Sequence, residues 1–196
     1  MNRTSTVKRK TGETDISLTL TVGADKEKKG LYGSTGVGFF DHMLNSFCVH
    51  GKFRIELDCS GDLHVDCHHT VEDVGIVLGT AFREIIDTNK EIARFAHDYV
   101  PMDETLAFAV IDISNRPCLV FDAEFTSGTI GGFDTQMVYE FFSALTYNMR
   151  VTLHLRIMYG KNDHHKAEAL FKAAARSISA AMVIDGGGLL SSKGVL

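Results

Sequence analysis

The sequence is poor in residues that mark several classes of protein. It contains no tryptophan and two prolines, and its four cysteines form no Cys-x-x-Cys pair. Cys48, Cys59, Cys67 and Cys118 therefore indicate neither a zinc knuckle nor a disulfide framework, and we expect a reduced, cytoplasmic protein. No apolar run approaches the roughly 20 residues of a membrane span, and no apolar stretch follows the basic N-terminus to make a signal peptide.

The chain also lacks an excess of positive charge. Its 20 basic and 25 acidic residues give a formal net charge of −5, so neither nucleic acid nor an anionic membrane is an expected partner. Hydrophobic residues make up 44% and charged residues 23%, which excludes general disorder. A length of 196 residues allows one large domain or two small ones. The unusual feature is the presence of nine histidines.

Apolar periodicity predicts an alternation of strands and helices. The predicted strands cover residues 15–22, 52–59, 62–67, 106–113, 118–125 and 151–159. The predicted helices cover residues 39–49, 70–88, 141–149 and 167–183. Ser60-Gly61 is expected to join two of the strands as a hairpin, and residues 24–38 are expected to be turn and loop.

The second half of the chain repeats short motifs of the first half in the same order. The repeats are 66–72 at 162–168 (96 positions later), Phe39-Phe40 at Phe141-Phe142 and 53–55 at 155–157 (both 102 later), and Glu13-Thr14 at Glu104-Thr105 (91 later). This order predicts an α+β chain of two similar halves, residues 1–93 and 94–196, that pack on each other.

The pattern His-His-x-x-Glu occurs once in each half. The two copies are His68, His69 and Glu72, and His164, His165 and Glu168. At the start of a helix, the spacings of three and four place all three side chains near one face. Adjacent histidines point about 100° apart, which suits two ions, or one ion and a substrate, better than chelation of a single ion. Nitrogen and oxygen donors without cysteine suit Mn, Fe, Co or Zn.

Other histidines carry less information. One His-His pair is more often a solvated surface feature than a metal site, but two copies in register favour metal binding. His42 lies off the apolar stripe of its helix and is either a ligand or a surface side chain. His50, at a helix-to-strand junction, is placed to face a cleft. His64, His97 and His154 have no repeated partner, and we expect them to lie outside the site.

Basic and hydroxyl side chains near turns are candidate ligands for an oxyanion. They are Arg94, Arg116, Lys172, Ser191, Ser192 and Lys193. Arg116 lies in a Ser-Asn-Arg-Pro turn, and the terminal Ser-Ser-Lys-Gly is similar to a phosphate clasp of hydroxyls, ammonium and backbone amides. Alone, these residues indicate only that an anionic substrate is possible.

Several long segments together resemble the imidazoleglycerol-phosphate dehydratase family. They are 36–44 (GVGFFDHML), 66–79 (DCHHTVEDVGIVLG), 162–176 (NDHHKAEALFKAAAR) and 191–196 (SSKGVL), with shorter likeness at 9–14 and 101–104. The resemblance implies a ribosomal protein S5 domain 2-like fold, an internally duplicated two-layer α/β sandwich. Each half is then a four-stranded, mostly antiparallel sheet backed by helices.

The resemblance also implies a cytoplasmic hydro-lyase of histidine biosynthesis. The expected reaction converts imidazole-glycerol phosphate to imidazole-acetol phosphate and water. The expected assembly is a homo-oligomer of 24 subunits built from trimers, with active sites between subunits.

Two Mn²⁺ ions per active site are implied as cofactors. By resemblance, the ligands of one ion are His42, His69, His164 and Glu168, and those of the other are His68, Glu72 and His165. Glu140 is a departure, because many relatives have a histidine at this position. Either Glu140 ligates the second ion through oxygen, or water takes that place.

Two ions suit the chemistry, because the departing proton lies on a carbon next to an imidazole, with no carbonyl to stabilise a carbanion. Metal ions on the ring nitrogens would favour an imidazolate, whose electrons could expel the hydroxyl through a diazafulvene-like intermediate. By resemblance, the carboxylates that move the proton are Glu13 and Glu168, with Glu72 behind them. The implied phosphate clamp is Arg94, Arg116, Ser191, Ser192 and Lys193, with Lys172 and His50 lining the pocket.

Two other functions remain compatible with the residues alone. A metal-dependent phosphoester hydrolase also uses two metal sites beside basic residues, although such sites usually rely on Asp and neither motif contains one. The other alternative is a protein without catalytic activity, in which the histidines hold metals that link an oligomer.

Overall fold

The computed structural model describes residues 3–87, 91–186 and 188. Within these residues the chain forms ten strands and four helices. The elements of the first half are β1 (Arg3–Lys10), β2 (Thr14–Val22), β3 (Gly30–Gly33), α1 (Gly38–Gly51), β4 (Phe53–Gly61) and α2 (His68–Asp87). Those of the second half are β5 (Phe95–Met102), β6 (Thr105–Asp112), β7 (Cys118–Asp122), β8 (Thr129–Ile130), β9 (Phe133–Asp134), α3 (Gln136–Met149), β10 (Thr152–Tyr159) and α4 (Asp163–Ala181).

The two halves have the same sheet topology. The strand orders are β1-β2-β4-β3 and β5-β6-β10-β7, and β8 and β9 form a small additional ribbon. The pairings are antiparallel except β3 with β4 and β7 with β10, which are parallel. Apolar side chains alternate along the central strands, as Ile16, Leu18 and Leu20 do in β2, so each sheet buries one face. The expected α+β duplication is therefore confirmed.

The structural register of the duplication differs from the Phe-Phe echo. Both α1 and α3 have 14 residues, and their first residues, Gly38 and Gln136, are 98 positions apart. Their C-cap residues, Lys52 and Arg150, have the same separation and share the left-handed conformation, with φ of 58° and 59°. The Phe-Phe echo at a separation of 102 is therefore one helical turn out of register, and aligning the halves on it is wrong.

The helices lie between the two sheets and pack across the halves. Helix α1 of the first half packs on α4 of the second half, and α2 packs on α3. Glycines let α2 approach closely, since a Cβ on Gly79 would lie 2.6 Å from the carbonyl oxygen of Leu145. Phe40, Phe47 and other large side chains of these helices are fully buried. Each of the two helix pairs therefore contains one helix from each half.

Several strand predictions were wrong. Residues 24–38 contain β3, which pairs in parallel with β4. Residues 62–67 form a turn and not a strand, so β4 has no hairpin partner there, and Leu63 and Val65 are exposed. Finally, β1 and β5 form strands that the periodicity did not indicate.

Candidate functional site

The packing of α1 on α4 brings three predicted ligands together. Nε2 of His164 lies 3.2 Å from Oε2 of Glu168, and Nε2 of His42 lies 3.5 Å from the same oxygen. The rings of His42 and His164 have centroids 5.7 Å apart. Within the described residues, these three form the one group of three or more histidine, cysteine or acidic side chains whose ligand atoms all lie within 4.8 Å of one another. Its nitrogen and oxygen donors fit a divalent metal such as Mn²⁺.

The start of α4 fixes the second His-His-x-x-Glu motif. The side chain of Asn162 caps the helix by accepting hydrogen bonds from the backbone N–H groups of His164 and His165. The motif therefore occupies the first turns, where His164 and Glu168 share a face at i and i+4. The rings of His164 and His165 are 6.2 Å apart and at 85° to each other, so they diverge as the spacing predicts.

Glu168 is a buried carboxylate with a close cationic partner. Burial alone would raise its pKa, but the hydrogen bond and charge of Lys172, together with His42 and His164, lower the pKa below its ordinary value. Nζ of Lys172 lies 2.8 Å from Oε1 of Glu168, whereas the two histidines face Oε2. Glu168 is therefore an anion at neutral pH with one oxygen directed at the histidines.

The first His-His-x-x-Glu motif begins α2 in a similar way. Asp66 accepts a hydrogen bond from the backbone N–H of His68, and the rings of His68 and His69 are 6.1 Å apart at 76°. Nε2 of His68 lies 4.0 Å from Oε2 of Glu72. Glu140, from the start of α3, lines a cavity of about 170 Å³ together with His68. Packing of α3 on α2 thus places Glu140 beside the first motif, as packing of α1 on α4 places His42 beside the second.

Carboxylates that the sequence analysis did not assign contact the second histidine of each motif. Nδ1 of His69 lies 3.0 Å from Asp62. Nδ1 of His165 lies 2.7 Å from Glu104, and its Nε2 lies 3.7 Å from Asp103. The repeated Glu-Thr pair, which the sequence indicated only as evidence of duplication, also points to Glu104. Asp62 and Asp103 had no comparable signal.

The predicted base Glu13 also contacts the first motif. Its Oε1 lies 3.8 Å from Nε2 of His69, and its side chain is 54% exposed. The hydrogen bond to Asp62 raises the pKa of His69, and the negative charge of Glu13 adds to this effect. Hydrogen bonds from the backbone of Asn162 and then from His165 hold the pKa of Glu104 well below its usual range.

Two of the predicted phosphate ligands converge on one acid. Nε of Arg94 lies 2.7 Å from Oδ1 of Asp112, and one terminal nitrogen of Arg116 lies 3.4 Å from Oδ2. The Arg94 side chain is largely buried, while that of Arg116 is 62% exposed. Asp112 ends β6, so both guanidinium groups lie at that end of the second sheet.

The other predicted substrate ligands are distributed differently. Lys172 contacts Glu168, and His50 lines a cavity of about 280 Å³ with Arg176. Burial lowers the pKa of His50, and the positive charges of Lys172 and Arg176 lower it further. The predicted clasp residues Ser191, Ser192 and Lys193 lie outside the described residues. His64, His97 and His154 are exposed.

Comparison with known proteins decides the family. The family model described as imidazoleglycerol-phosphate dehydratase matches residues 35–178. The chain belongs to the imidazoleglycerol-phosphate dehydratase family. It is accordingly an enzyme, a hydro-lyase of histidine biosynthesis that dehydrates imidazole-glycerol phosphate.

Full-length relatives support the same assignment. The imidazoleglycerol-phosphate dehydratase of Caldicellulosiruptor saccharolyticus is 50% identical over 194 residues, covering 99% of this chain and 98% of the relative. That of Lacticaseibacillus casei is 48% identical, covering 99% and 100%. The crystal structure of the Staphylococcus aureus dehydratase superposes with a TM-score of 0.82 at 36% identity, covering 94% and 99% of the two chains. That of the Pyrococcus furiosus protein gives 0.84 at 32% identity, covering 97% and 100%.

Proposed function

We propose that this chain carries out its dehydration with two Mn²⁺ ions per active site and through a diazafulvene-like intermediate, giving imidazole-acetol phosphate and water. The observation that carries the proposal is the convergence of His42, His164 and Glu168. These donors come from two helices, and their ligand atoms all lie within 4.8 Å of one another. When bound, the two ions act as Lewis acids that stabilise negative charge on the imidazole ring of the substrate.

Each ion has a proposed ligand set centred on one of the two motifs. The first set is His42, His69, His164 and Glu168, and the second is His68, Glu72, His165 and Glu140. His42 and Glu140 are each the fifth residue of the helix that packs on the motif of the other half. This equivalence supports ligation by a Glu140 oxygen, in the place where many relatives have a histidine.

Neither set is complete within one chain. His69 does not belong to the group formed by His42, His164 and Glu168. The side chain of His42 is 51% exposed, so this group lies at the surface of the chain. A second subunit that contributes its first motif there would supply the missing histidine.

The arginines give an independent reason for a shared site. The backbone N–H of Arg94 donates to the carbonyl of Ala181, thirteen residues after Glu168 on α4. At 1.5 Å per residue, roughly 20 Å separates these two points. A small phosphorylated imidazole is shorter than this distance, so Glu168 and Arg94 would reach one substrate molecule only from different chains. This supports active sites between subunits, in an assembly that we propose contains 24 subunits built from trimers.

The protein residues then have separate tasks. Arg94, Arg116, Ser191, Ser192 and Lys193 would bind the phosphate, with Lys172 and His50 in the pocket wall. Binding the distant phosphate orients the reacting carbons. Glu13 is exposed and close to His69, and Glu168 is an anion among histidines, so these two carboxylates would hold or move the proton at carbon, with Glu72 behind them.

The proposed setting is the cytoplasm, with a small phosphorylated imidazole as partner and neither nucleic acid nor membrane. The net charge of −5 is not the overall positive charge that favours binding to nucleic acid. In the part of the chain that the structure describes, no helix is both long enough and apolar enough to span a bilayer.

One sample tests the proposal. The metal content of the purified assembly and the product formed from imidazole-glycerol phosphate are measured together. We expect two Mn²⁺ per active site and release of imidazole-acetol phosphate. Release of inorganic phosphate would favour a phosphoester hydrolase, and metal binding without any product would favour a purely structural role for the metals.

A further inference from the structure

We propose that Asp62 and Glu104 are positioning residues that determine which ring nitrogen of His69 and of His165 is free to bind metal. The inference rests on the proposed function, because it assumes that both histidines are ligands. It goes further by assigning a role to two carboxylates outside both His-His-x-x-Glu motifs.

Hydrogen bonding gives the direct argument. A carboxylate only accepts, so the ring nitrogen that faces it at hydrogen-bond distance carries the proton. Nδ1 faces Asp62 in His69, at 3.0 Å, and Glu104 in His165, at 2.7 Å. The proton on Nδ1 leaves the lone pair on Nε2. Metal-bound histidines in general donate their other N–H to a carboxylate or carbonyl in this way.

Glu104 is rigidly held by the segment that begins α4. Its Oε1 accepts hydrogen bonds from the backbone N–H of Lys161, at 3.0 Å, and of Asn162, at 2.8 Å. Asn162 also caps α4 through its side chain. The carboxylate therefore connects the β5–β6 turn to the first turn of α4, and its Oε2 remains directed at His165.

The two halves achieve the same orientation with different residues. Thr14 pairs with Gly61 in the first sheet, and Thr105 lies beside Gly160 in the second, so Glu13 corresponds to Glu104. By the same register, Asp62 corresponds to Lys161. In the first half, the carboxylate that orients the histidine is thus Asp62, which directly follows β4. It is not Glu13, which precedes Thr14.

Glu13 lacks the restraints that hold Glu104. The backbone N–H groups of Lys161 and Asn162 donate to Glu104, whereas the contact described for the carboxylate of Glu13 is the one with Nε2 of His69, at 3.8 Å. Duplication therefore produced two equivalent glutamates with different tasks. Glu104 orients a ligand, whereas Glu13 is left able to move and to transfer a proton.

The variant Glu104→Gln is the sharpest test. The amide oxygen of Gln can still accept from Lys161 and Asn162, but its NH₂ group then faces Nδ1 as a donor. His165 would then favour the tautomer protonated at Nε2, which leaves no lone pair on Nε2 for a metal ion. We expect the Mn²⁺ dissociation constant to rise roughly 10- to 100-fold, as for other carboxylates that orient ligands. Turnover should recover at saturating Mn²⁺. The unfolding midpoint of the metal-free chain should fall only modestly, because the amide oxygen keeps both backbone hydrogen bonds.

Affinity is measured by titrating metal-free protein with Mn²⁺ and following the electron paramagnetic resonance signal of the free ion. Asp62→Ala, which removes the acceptor for His69, should also weaken Mn²⁺ binding. Glu56→Gln and Asp122→Ala are the matched controls, because these exposed acids pair with Arg54 and Arg156. Both controls should bind Mn²⁺ as the wild type does.

The outcomes separate this inference from the proposed function. Wild-type Mn²⁺ affinity in Glu104→Gln would overturn the inference. If the unfolding midpoint of that metal-free variant fell while its affinity stayed unchanged, Glu104 would have a structural role only. If the wild-type chain itself binds no Mn²⁺, the proposed metal site is wrong and the inference fails with it. If the wild type binds Mn²⁺ and the variants bind it with the same affinity, only the inference fails.

Discussion

His42 and Glu140 occupy equivalent positions in the two halves, each as the fifth residue of a 14-residue helix. His42 contacts Glu168 of the second motif, and Glu140 shares a cavity with His68 of the first. The internal duplication therefore contributes to the site as well as to the fold, because each motif receives one additional candidate donor from the other half.

Substitution of Glu168 by Gln should lower turnover more than it lowers metal content. The amide keeps an oxygen for a metal but cannot accept a proton, and loss of a general base or acid costs roughly 10²- to 10⁴-fold in rate. Turnover at saturating substrate and Mn²⁺ bound per subunit are measured on the same preparation. Glu56→Gln is the control, and turnover near that of the wild type would remove Glu168 from the mechanism.

Glu13→Gln should behave differently from Glu104→Gln. Because Glu13 is exposed and belongs to neither proposed ligand set, we expect its loss to reduce turnover by roughly 10²- to 10⁴-fold. The affinity for Mn²⁺ should stay at the wild-type value. Titration of the metal-free variant with Mn²⁺, beside steady-state kinetics, checks both; weaker Mn²⁺ binding with intact turnover would contradict the assignment.

Arg116→Ala should raise the Michaelis constant with a smaller effect on turnover. A hydrogen bond to a charged group contributes about 1.5–3 kcal/mol, which corresponds to roughly 10- to 150-fold in binding. Arg156→Ala removes an exposed arginine that pairs with Asp122 and should leave the Michaelis constant unchanged. Equal Michaelis constants in the two variants would argue against a phosphate contact by Arg116.

Gly79→Ala should destabilise the contact between the halves. The added Cβ would lie 2.6 Å from the carbonyl oxygen of Leu145 and 2.9 Å from Cβ of Asn148, so α2 and α3 would have to separate. We expect the free energy of unfolding to fall by about 1–3 kcal/mol. Gly128→Ala, where no atom lies within 4 Å of the added Cβ, is the control. Denaturant unfolding of both variants measures the difference, and equal stability would show that the helices tolerate the methyl group.

Chelation of the metal should dissociate the largest assembly. If the ligand sets are shared between subunits, the ions contribute to the contacts that hold the subunits together. Light scattering after treatment with a chelator should show a lower mass, and addition of Mn²⁺ should restore it. An unchanged mass in the metal-free state would separate assembly from metal binding.

The helices were predictable from the sequence because their apolar residues recur at strong helical spacing. Of the edge strands, β7 was predicted but β1, β3 and β5 were not. Strand β1 (RTSTVKRK) is mostly polar, with Val7 as its one aliphatic residue, as edge strands often are. Segment 62–67 alternates like a strand, but its backbone closes a turn, with Val65 donating to the carbonyl of Asp62, and Asp66 caps α2. Short polar interactions of this kind outweigh an alternating pattern.

The candidate site was predictable to a similar degree. The repeated motif identified the four histidines. Helix geometry then predicted that the two adjacent side chains in each motif point in different directions. The partner Asp62 could not be found in this way, and the repeated Glu-Thr pair only hinted at Glu104, since both meet their histidines through the strand register of each sheet. Likewise, the equivalence of His42 and Glu140 depends on helix starts, which a Phe-Phe echo one turn out of register had obscured.

The packing of each half's first helix on the other half's second helix has a further consequence. In a dimer of identical single halves, one codon would specify this helix position at both sites, and any substitution there would appear twice. In the duplicated chain the position is encoded separately for each site. One site can thus carry an imidazole and the other a carboxylate, and mutation can change either residue independently of the other.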